Sequence, residues 1–438
     1  MAFLAIPNEV RADRAVVWVG AINENFDRNS VRLEYGVGDV QVGGWLDFAT
    51  DSREFRIAYQ RVMLTGLEAR RTYPLRLRVG ANVVADGSLT TLPDALPTVG
   101  DKPFTVLLGS CFFRREDREG AVGRQYSLLP ERPDIKILCG DQVYLDNPPG
   151  DFLVPRLRPQ RWLEDRSFKT YLDTWTQSFA AGGFGEMLKH GGNFFTSDDH
   201  EFWNNAPDRG LNVLTYTTTR GQRDAWLKIA RTLYGIFQTT QSFTGFRVGP
   251  LSFCVLDTRV NRQPDRASLV PATDLDGVRE WVAGLDGPGV LVIGQPLLAD
   301  EGSKADWGLR DYPEFRRLVE LLRASEHWIV VLTGDVHFGR MASCPLRLDR
   351  GTRLIEIISS PMQLVPLAKG KWTPAPEVFG PVTTEANFWT DEKNHFLTLE
   401  FWAASASRVQ MNVKYWPIDK VGTMPRGVPV NRQPIELA

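Results

Sequence analysis

Ile135-Lys136-Ile137-Leu138-Cys139-Gly140-Asp141-Gln142-Val143-Tyr144-Leu145-Asp146 decides how this chain is read. A short β-type run, apolar except for one lysine, passes straight into Gly-Asp and then into polar and aromatic side chains. Such a run, closed by a glycine, reads as a strand buried on both faces. The residues after the glycine then form a loop at the strand's carboxyl end, where the loops of an open α/β sheet converge on a ligand.

The same grammar recurs three times. Residues 104–108 run into Gly109-Ser110-Cys111, residues 193–196 into Ser197-Asp198-Asp199-His200-Glu201, and residues 329–333 into Gly334-Asp335-Val336-His337. Four strand ends therefore carry Cys111, Asp141, Tyr144, Asp199, His200, Asp335 and His337. Aspartate and neutral histidine are ordinary ligands for hard or borderline cations, whereas a thiolate and a phenolate favour a stronger Lewis acid such as ferric iron or zinc. A metal site is the simplest reading, with Asp141 as the natural carboxylate to bridge two unlike ions. Asp198 competes with Asp199 for the adjacent ligand position.

Outward from these loops, further strands are expected at 251–256, 290–293, 328–333, 354–358, 396–401 and 409–415, and helices at 162–179, 221–233, 277–285 and 312–325. Strands and helices mixed in this way predict a layered α/β domain with buried sheets. Upstream the pattern changes to period-2 alternation, clearest in Tyr73-Pro74-Leu75-Arg76-Leu77-Arg78-Val79 and repeated at 15–21, 31–37 and 56–64. These predict a small β-sandwich. Leu67, six residues before Tyr73, matches the tyrosine corner of fibronectin type III domains. A Pro-punctuated stretch over 92–103 reads as a linker, so the expected division is a sandwich at 1–98 and a catalytic domain at 99–438.

The bulk properties are restrictive. With 53 acidic and 51 basic residues in 438, net charge −2, nothing indicates general nucleic-acid binding. The four cysteines, at 111, 139, 254 and 344, form no CxxC pair and no disulfide framework. Cys139 and Cys254 lie inside strands and, with Cys344, read as packing; His190, His327 and His395 lie outside the loops and read as structural or surface residues. No apolar run reaches the roughly 18–20 residues of a transmembrane helix. The first ten residues lack a basic leader, so a cytoplasmic location is expected, or a secreted or periplasmic one if the N-terminus has been trimmed. The sequence carries no signal for an oligomeric state.

Residues 104–146, with 196–206, 255–262 and 330–337, resemble the alkaline phosphatase D (PhoD-like) family of the calcineurin-like metallophosphoesterase superfamily. The matching text is Gly109-Ser110-Cys111, Pro133-Asp134, Gly140-Asp141-Gln142-Val143-Tyr144-Leu145-Asp146, Asp198-Asp199-His200-Glu201 with Asn204-Asn205, Leu256-Asp257-Thr258-Arg259 and Gly334-Asp335-Val336-His337. The motifs come in the family's order, and the likeness spans roughly residues 100–420. It implies an α/β fold in which a fibronectin-like β-sandwich precedes a layered α/β/β/α metallophosphoesterase domain. It also implies Fe3+ held by Cys111, Asp141, Tyr144, Asp335 and His337, with Ca2+ nearby sharing Asp141 and engaging the Asp199 loop. Zn2+, Mn2+ or Mg2+ are the alternatives. Asp199 stands where the wider superfamily places an asparagine before its histidine.

The expected reaction is phosphoester hydrolysis, as a phosphatase or phosphodiesterase, by in-line attack of a metal-activated hydroxide on a small-molecule, lipid or nucleotide substrate. His200 is the candidate to donate a proton to the leaving group or a hydrogen bond to the phosphate, and Glu201 a candidate to orient it. Arg259 and Arg262 are candidates to clamp a phosphate oxygen, with Asn205 beside them. A structural ion pair at Asp257-Thr258-Arg259 and loop-capping roles for Asn204 and Asn205 are the competing readings. Two rivals stand beside this function. A purple-type acid phosphatase also uses Gly-Asp-x-x-Tyr at a ferric site, but the Cys111 loop and the terminal Gly-Asp-Val-His argue against it. A non-catalytic binding module on an inactive phosphoesterase scaffold is disfavoured because no ligand is missing. Loops 147–161 and 206–220, expected to line the cleft, carry no recognisable specificity code.

Overall fold

Eight strands make up the first part of the chain: β1 (Ala2–Val10), β2 (Arg14–Ile22), β3 (Val31–Glu34), β4 (Asp39–Gln41), β5 (Leu46–Ala49), β6 (Arg56–Thr65), β7 (Thr72–Val79) and β8 (Asn82–Thr90). The structure is a computed structural model that describes residues 2–117, 119–146, 160–179, 182–208, 219–299, 308–347, 349–363, 383–387, 394–418, 427–431 and 433–438. The eight strands form two four-stranded sheets, ordered β1-β2-β6-β5 and β4-β3-β7-β8. Alternation drives the pairing: Tyr73, Leu75 and Leu77 of β7 are buried while Thr72, Pro74 and Arg76 are exposed. The Tyr73 hydroxyl accepts the Glu68 N–H at 2.7 Å, and Leu67 is buried beneath it, which forms the expected tyrosine corner.

Strand β2 is buried on both faces. Ala15, Val17 and Val19 join Leu33 and Leu75 in the sandwich core. Trp18 and Ile22, together with Phe55 and Ile57, belong to a different apolar cluster shared with Phe168 and Phe237. The rings of Trp18 and Phe237 lie 5.7 Å apart, and those of Phe55 and Phe168 5.4 Å apart. The stretch read as a linker is also packed. Leu92 and Leu96 are buried, and the Pro97 carbonyl accepts the Ala403 N–H at 2.8 Å. Its leucines, spaced between the prolines, bind it to the body of the protein.

The remaining strands are β9 (Phe104–Gly109), β10 (Ile135–Cys139), β11 (Gly192–Thr196), β12 (Phe243–Val248), β13 (Leu251–Leu256), β14 (Gly289–Val292), β15 (Ile329–Thr333), β16 (Arg340–Arg347), β17 (Thr352–Ile358), β18 (Thr383–Asn387), β19 (His395–Ala403), β20 (Val409–Pro417), β21 (Val428–Pro429) and β22 (Ile435–Leu437). One sheet is ordered β11-β10-β9-β19-β20-β21, with β22 also on β20; the other is β12-β13-β14-β15-β17-β16-β18. Their facing residues, such as Val106, Ile137 and Phe194 against Phe253, Val290 and Val330, share one core with the sandwich. Cys139 lies in that core.

Helices cover the outer faces. Ala121–Ser127, Gln160–Trp175, Phe184–Leu188 and Arg220–Phe237 pack on the first sheet, and Ala272–Ala283 and Glu314–Arg323 on the second. Glu314–Arg323 buries Phe315, Leu318, Val319 and Leu322, an i, i+3, i+4, i+7 stripe. Arg220–Phe237 opens with a capping box between Thr219 and Gln222. The result is the expected α/β/β/α layering behind a β-sandwich. Among the described residues no helix is long and apolar enough to cross a membrane.

Candidate metal centre

The register of the parallel strands brings the polar loops together. Leu138 pairs with Gly109, and Cys139 with Thr196, so the loops after β9, β10 and β11 start side by side. In the second sheet Thr333 pairs with Ile358, which places Gly334–His337 beside Ser359 and Ser360. The two sheets touch at Gly334. A side chain there would strike Ser110 and come within 2.6 Å of the Cys139 carbonyl oxygen, so only hydrogen fits.

Three overlapping groups of donors result: Cys111, Asp141 and His337; Asp141, Asp199 and His200; and Asp141, Asp198, Asp199 and Asp335. Within each group the ligand atoms lie within 4.8 Å of one another. Asp141 belongs to all three, the placement a bridging carboxylate needs. The Cys111 thiol donates to Asp141 Oδ2 at 3.5 Å and accepts the Ser360 hydroxyl at 3.0 Å. The Tyr144 hydroxyl lies 3.3 Å from Asp141 Oδ2 and 3.5 Å from His337 Nε2. Most of these donors are buried, and the cluster reaches the surface along Asp335–Phe338, which is partly exposed.

The backbone is bent to present them. Cys111 (φ 56°), Asp141 (58°), Asp335 (70°) and His337 (55°) all adopt the left-handed conformation, as does Asn205 (66°). Such conformations cost non-glycine residues of order 1–3 kcal/mol each and concentrate at functional sites. Four of the candidate ligands carrying them is independent support for a site at these loops.

Some sequence-predicted residues occupy the positions expected, and others do different work. Among the described residues, Glu201 makes no hydrogen bond to the His200 ring. Its carboxylate accepts the N–H groups of Asp141 (2.8 Å), Gln142 (2.7 Å) and Asp198 (2.8 Å), tying the β10 and β11 loops together. The group that orients His200 is Asp146, whose Oδ1 lies 2.7 Å from His200 Nδ1. Arg259 and Arg262 are both buried. Arg259 pairs with Asp198 at 2.8 Å and bonds the Ala206 carbonyl, while Arg262 bonds Gln295 at 2.7 Å and lies 4.8 Å above the Tyr312 ring. Asp257 accepts from Ser197, Arg259, Val260 and Tyr234. Asn205 donates its backbone N–H to Asp199 Oδ2 at 2.7 Å.

Gln295, Ser360 and Asp146 were missed as contributors. Gln295 donates to Asp335 Oδ2 at 3.1 Å, which links Arg262 to a candidate ligand. Gln295 and Ser360 both lie just past strand ends, after β14 and β17, and the signal that exposed the other loops would have found them. Of the loops expected to line the cleft, residues 147–159 and 209–218 lie outside the described residues.

The electrostatics call for a cation. Four carboxylates crowd the cluster, and burial pushes the Asp141 carboxyl well above its usual range, with Asp199, Asp198 and Glu201 adding to the rise and His200 opposing it. Asp198 Oδ2 is buried without a hydrogen-bond partner. Burial also raises the Cys111 thiol and the Tyr144 phenol. His337 is pushed down to about 4, first by burial and then by His200, which keeps its imidazole neutral, the form that binds metals. The donor set therefore fits metal ions: carboxylates in excess of their counter-charges, a neutral imidazole, a thiol and a phenol.

Fold and cluster together define a sandwich-plus-α/β/β/α protein with metal-competent loops at the carboxyl ends of its parallel strands. The fold is that of PhoD: a solved structure of PhoD superposes with a TM-score of 0.62 over 98% of this chain and 92% of that one, at 14% identity. No family model matches the sequence, and no curated protein matches it.

Proposed function

We propose that this chain is a metal-dependent phosphoesterase, a phosphatase or phosphodiesterase of the alkaline phosphatase D type. The observation that carries this reading is the convergence of Cys111, Asp141, Asp199, His200, Asp335 and His337 on one buried cluster with Asp141 common to every grouping. Cys111, Asp141, Tyr144, Asp335 and His337 would hold a strong Lewis acid, Fe3+ or Zn2+, because a thiolate and a phenolate suit it. Asp141 and Asp199 would share a harder ion, Ca2+, Mn2+ or Mg2+. Bound there, metal ions supply Lewis acidity toward phosphoryl oxygens and an activated water as nucleophile.

The chain's own groups do the rest. Asp146 holds His200 through Nδ1, which fixes the proton on that nitrogen in the neutral ring and leaves Nε2 to exchange a proton with a leaving oxygen. Burial opposes the charged ring, while Asp146, Asp199 and Asp141 favour it and raise His200 in the metal-free protein. Arg259 and Gln295 hold Asp198 and Asp335 in place from behind.

Protein reconstituted with Fe3+ or Zn2+ together with Ca2+, Mn2+ or Mg2+ should hydrolyse p-nitrophenyl phosphate or its bis-ester. Asp141→Asn should lose both bound metal and turnover. Absence of turnover with every metal from acid to alkaline pH, with metal content unaltered in Asp141→Asn, would overturn the reading.

A further inference from the structure

Gly140 and Asp141 form the turn that presents the donor common to every grouping, and both are left-handed, at φ 80° and 58°. The peptide between them is held on both sides. Its N–H, that of Asp141, donates to Glu201. Its carbonyl, that of Gly140, accepts the Cys111 N–H at 3.2 Å and the Gln142 side-chain Nε2 at 2.5 Å. Holding both polar groups of one planar peptide fixes its orientation, and with it the direction in which the Asp141 side chain leaves the backbone.

The Gln142 amide is itself the end of a buried chain. Its Oε1 accepts Nε2 of Gln238 at 2.8 Å, and Gln238 Oε1 accepts the Tyr171 hydroxyl at 2.9 Å. All three side chains are buried. The sense of the chain follows from where it ends. A carbonyl oxygen only accepts, so Gln142 must turn Nε2 to Gly140 and Oε1 to Gln238. Gln238 must then turn Nε2 to Gln142 and Oε1 to Tyr171, and Tyr171 must donate. Burial, then Glu201 and Asp257, hold the Tyr171 phenol well above its usual range, so that donor persists. Flipping either amide would set two acceptor oxygens face to face in the interior, where unmade hydrogen bonds are costly.

The backbone of Gln238 is fixed as well. It closes the helix Arg220–Phe237, with its N–H on the Tyr234 carbonyl at 2.9 Å, and its own carbonyl accepts Asn8 Nδ2 of the sandwich at 3.3 Å. Arg61, also from the sandwich, bonds the Gly235 carbonyl at 2.6 Å. Gln238 thus joins a pinned helix end to the turn of Asp141.

We propose that Gln238 is a positioning residue for the metal centre: acting through Gln142, it holds the peptide between Gly140 and Asp141 in the orientation that aims the Asp141 carboxylate at bound metal. The proposal rests on the metal-dependent reading of the cluster and adds a residue that serves it without touching metal or substrate.

Calorimetric titration of the metal-free protein with Zn2+ and with Mn2+ tests it. Gln238→Met keeps the side-chain length and removes both amide contacts, and Kd should rise about tenfold, the effect that outer hydrogen bonds have on metal sites. In a Gln142→Met background the same substitution should change Kd by less than about twofold, because its partner is gone. Gln238→Glu separates alignment from packing. A carboxyl group there accepts from Tyr171 in either form but donates to Gln142 only when protonated. The ratio of its Kd to the parent's should be near one at about pH 5 and rise toward about pH 8. A packing role would give a ratio that does not vary with pH. If Gln238→Met does not fold, the Gln238→Glu series decides alone.

An unchanged Kd in Gln238→Met, an equal loss with and without the Gln142 side chain, or a pH-independent ratio in Gln238→Glu overturns the proposal. Metal binding without ester hydrolysis by the parent protein defeats the phosphoesterase reading alone, and a parent that binds neither ion defeats both.

Discussion

Asp146 and His200 form a carboxylate–imidazole pair, Oδ1 to Nδ1 at 2.7 Å, and the second oxygen of Asp146 accepts the Asn204 N–H at 2.8 Å. Both contacts join the loop after β10 to the loop after β11, so the carboxylate sets the ring plane as well as its protonation. In Asp146→Asn an uncharged amide replaces the partner of Nδ1. We expect kcat to fall about a hundredfold, with metal content unchanged by elemental analysis. Loss of metal in parallel with activity would make Asp146 a scaffold for the ligands rather than a positioning residue for His200.

Crowded carboxylates make metal and stability interdependent. Ions that bind the folded chain alone should raise Tm with the logarithm of their free concentration, by about 2.7 kcal/mol of stability at a hundredfold excess over Kd. A chelator should reverse the gain. In Asp141→Asn, which changes the donor common to all three groups, the metal-dependent rise in Tm should be largely abolished.

Lys136 offers a pH dependence away from the cluster. It is fully buried on β10, donates to the His190 carbonyl and to the Gly191 carbonyl at 3.4 Å, and lies 5.3 Å above the Tyr126 ring. Burial, then Arg132, pushes its pKa down from 10.5 to about 7. Between those values the unfolded chain holds a proton that the folded chain has released, so this residue's contribution to stability improves as pH rises from about 7 to 10.5 and is least favourable below 7. Lys136→Met should therefore gain most in urea midpoint relative to the parent near neutral pH, and the difference should narrow toward about pH 10. A difference that does not vary with pH would show that the lysine is not titrating in this window.

Trp18 ties the sandwich to the helices. Its ring packs against Phe237 at 5.7 Å from a strand whose alternate residues face the sandwich core. Trp18→Ala should lose about 3–5 kcal/mol, and the loss should appear in the unfolding of the whole chain, read by tryptophan fluorescence and by far-UV circular dichroism together. Separate transitions, with the α/β part unaffected, would show the sandwich to be an independent appendage.

The parallel strands and their loops were readable because burial on both faces leaves a mostly apolar run, and a glycine or a polar residue marks where it ends. β12 and β16 escaped for the opposite reason. As Phe243-Thr244-Gly245-Phe246-Arg247-Val248 and Arg340-Met341-Ala342-Ser343-Cys344-Pro345-Leu346-Arg347 they are antiparallel strands with polar residues in the run, β12 at a sheet edge and β16 between β17 and β18. Ala121–Ser127 and Phe184–Leu188 are too short to show a helical period. The donor residues were legible one by one, since each lies just past a strand. The direction of Arg259, Arg262 and Glu201 was not: a charged side chain near a site reads the same from sequence whether it faces a ligand or braces a neighbouring loop. Only the three-dimensional placement of Asp198, Gln295 and the backbone amides of Asp141 and Gln142 distinguishes these cases.

The left-handed backbone at Cys111, Asp141, Asp335 and His337 sets folding against chemistry. Nothing in the packing asks for a thiol, two acids and an imidazole in conformations that suit glycine, and Asp141 adds a buried carboxyl group among other carboxylates. Substituting glycine at Asp141 would relax both, so the metal-free variant should be the sturdier protein. Drift toward robustness alone would erase this cluster residue by residue while leaving the sheets untouched, and a stability screen run without metal would first enrich descendants that have lost its donors.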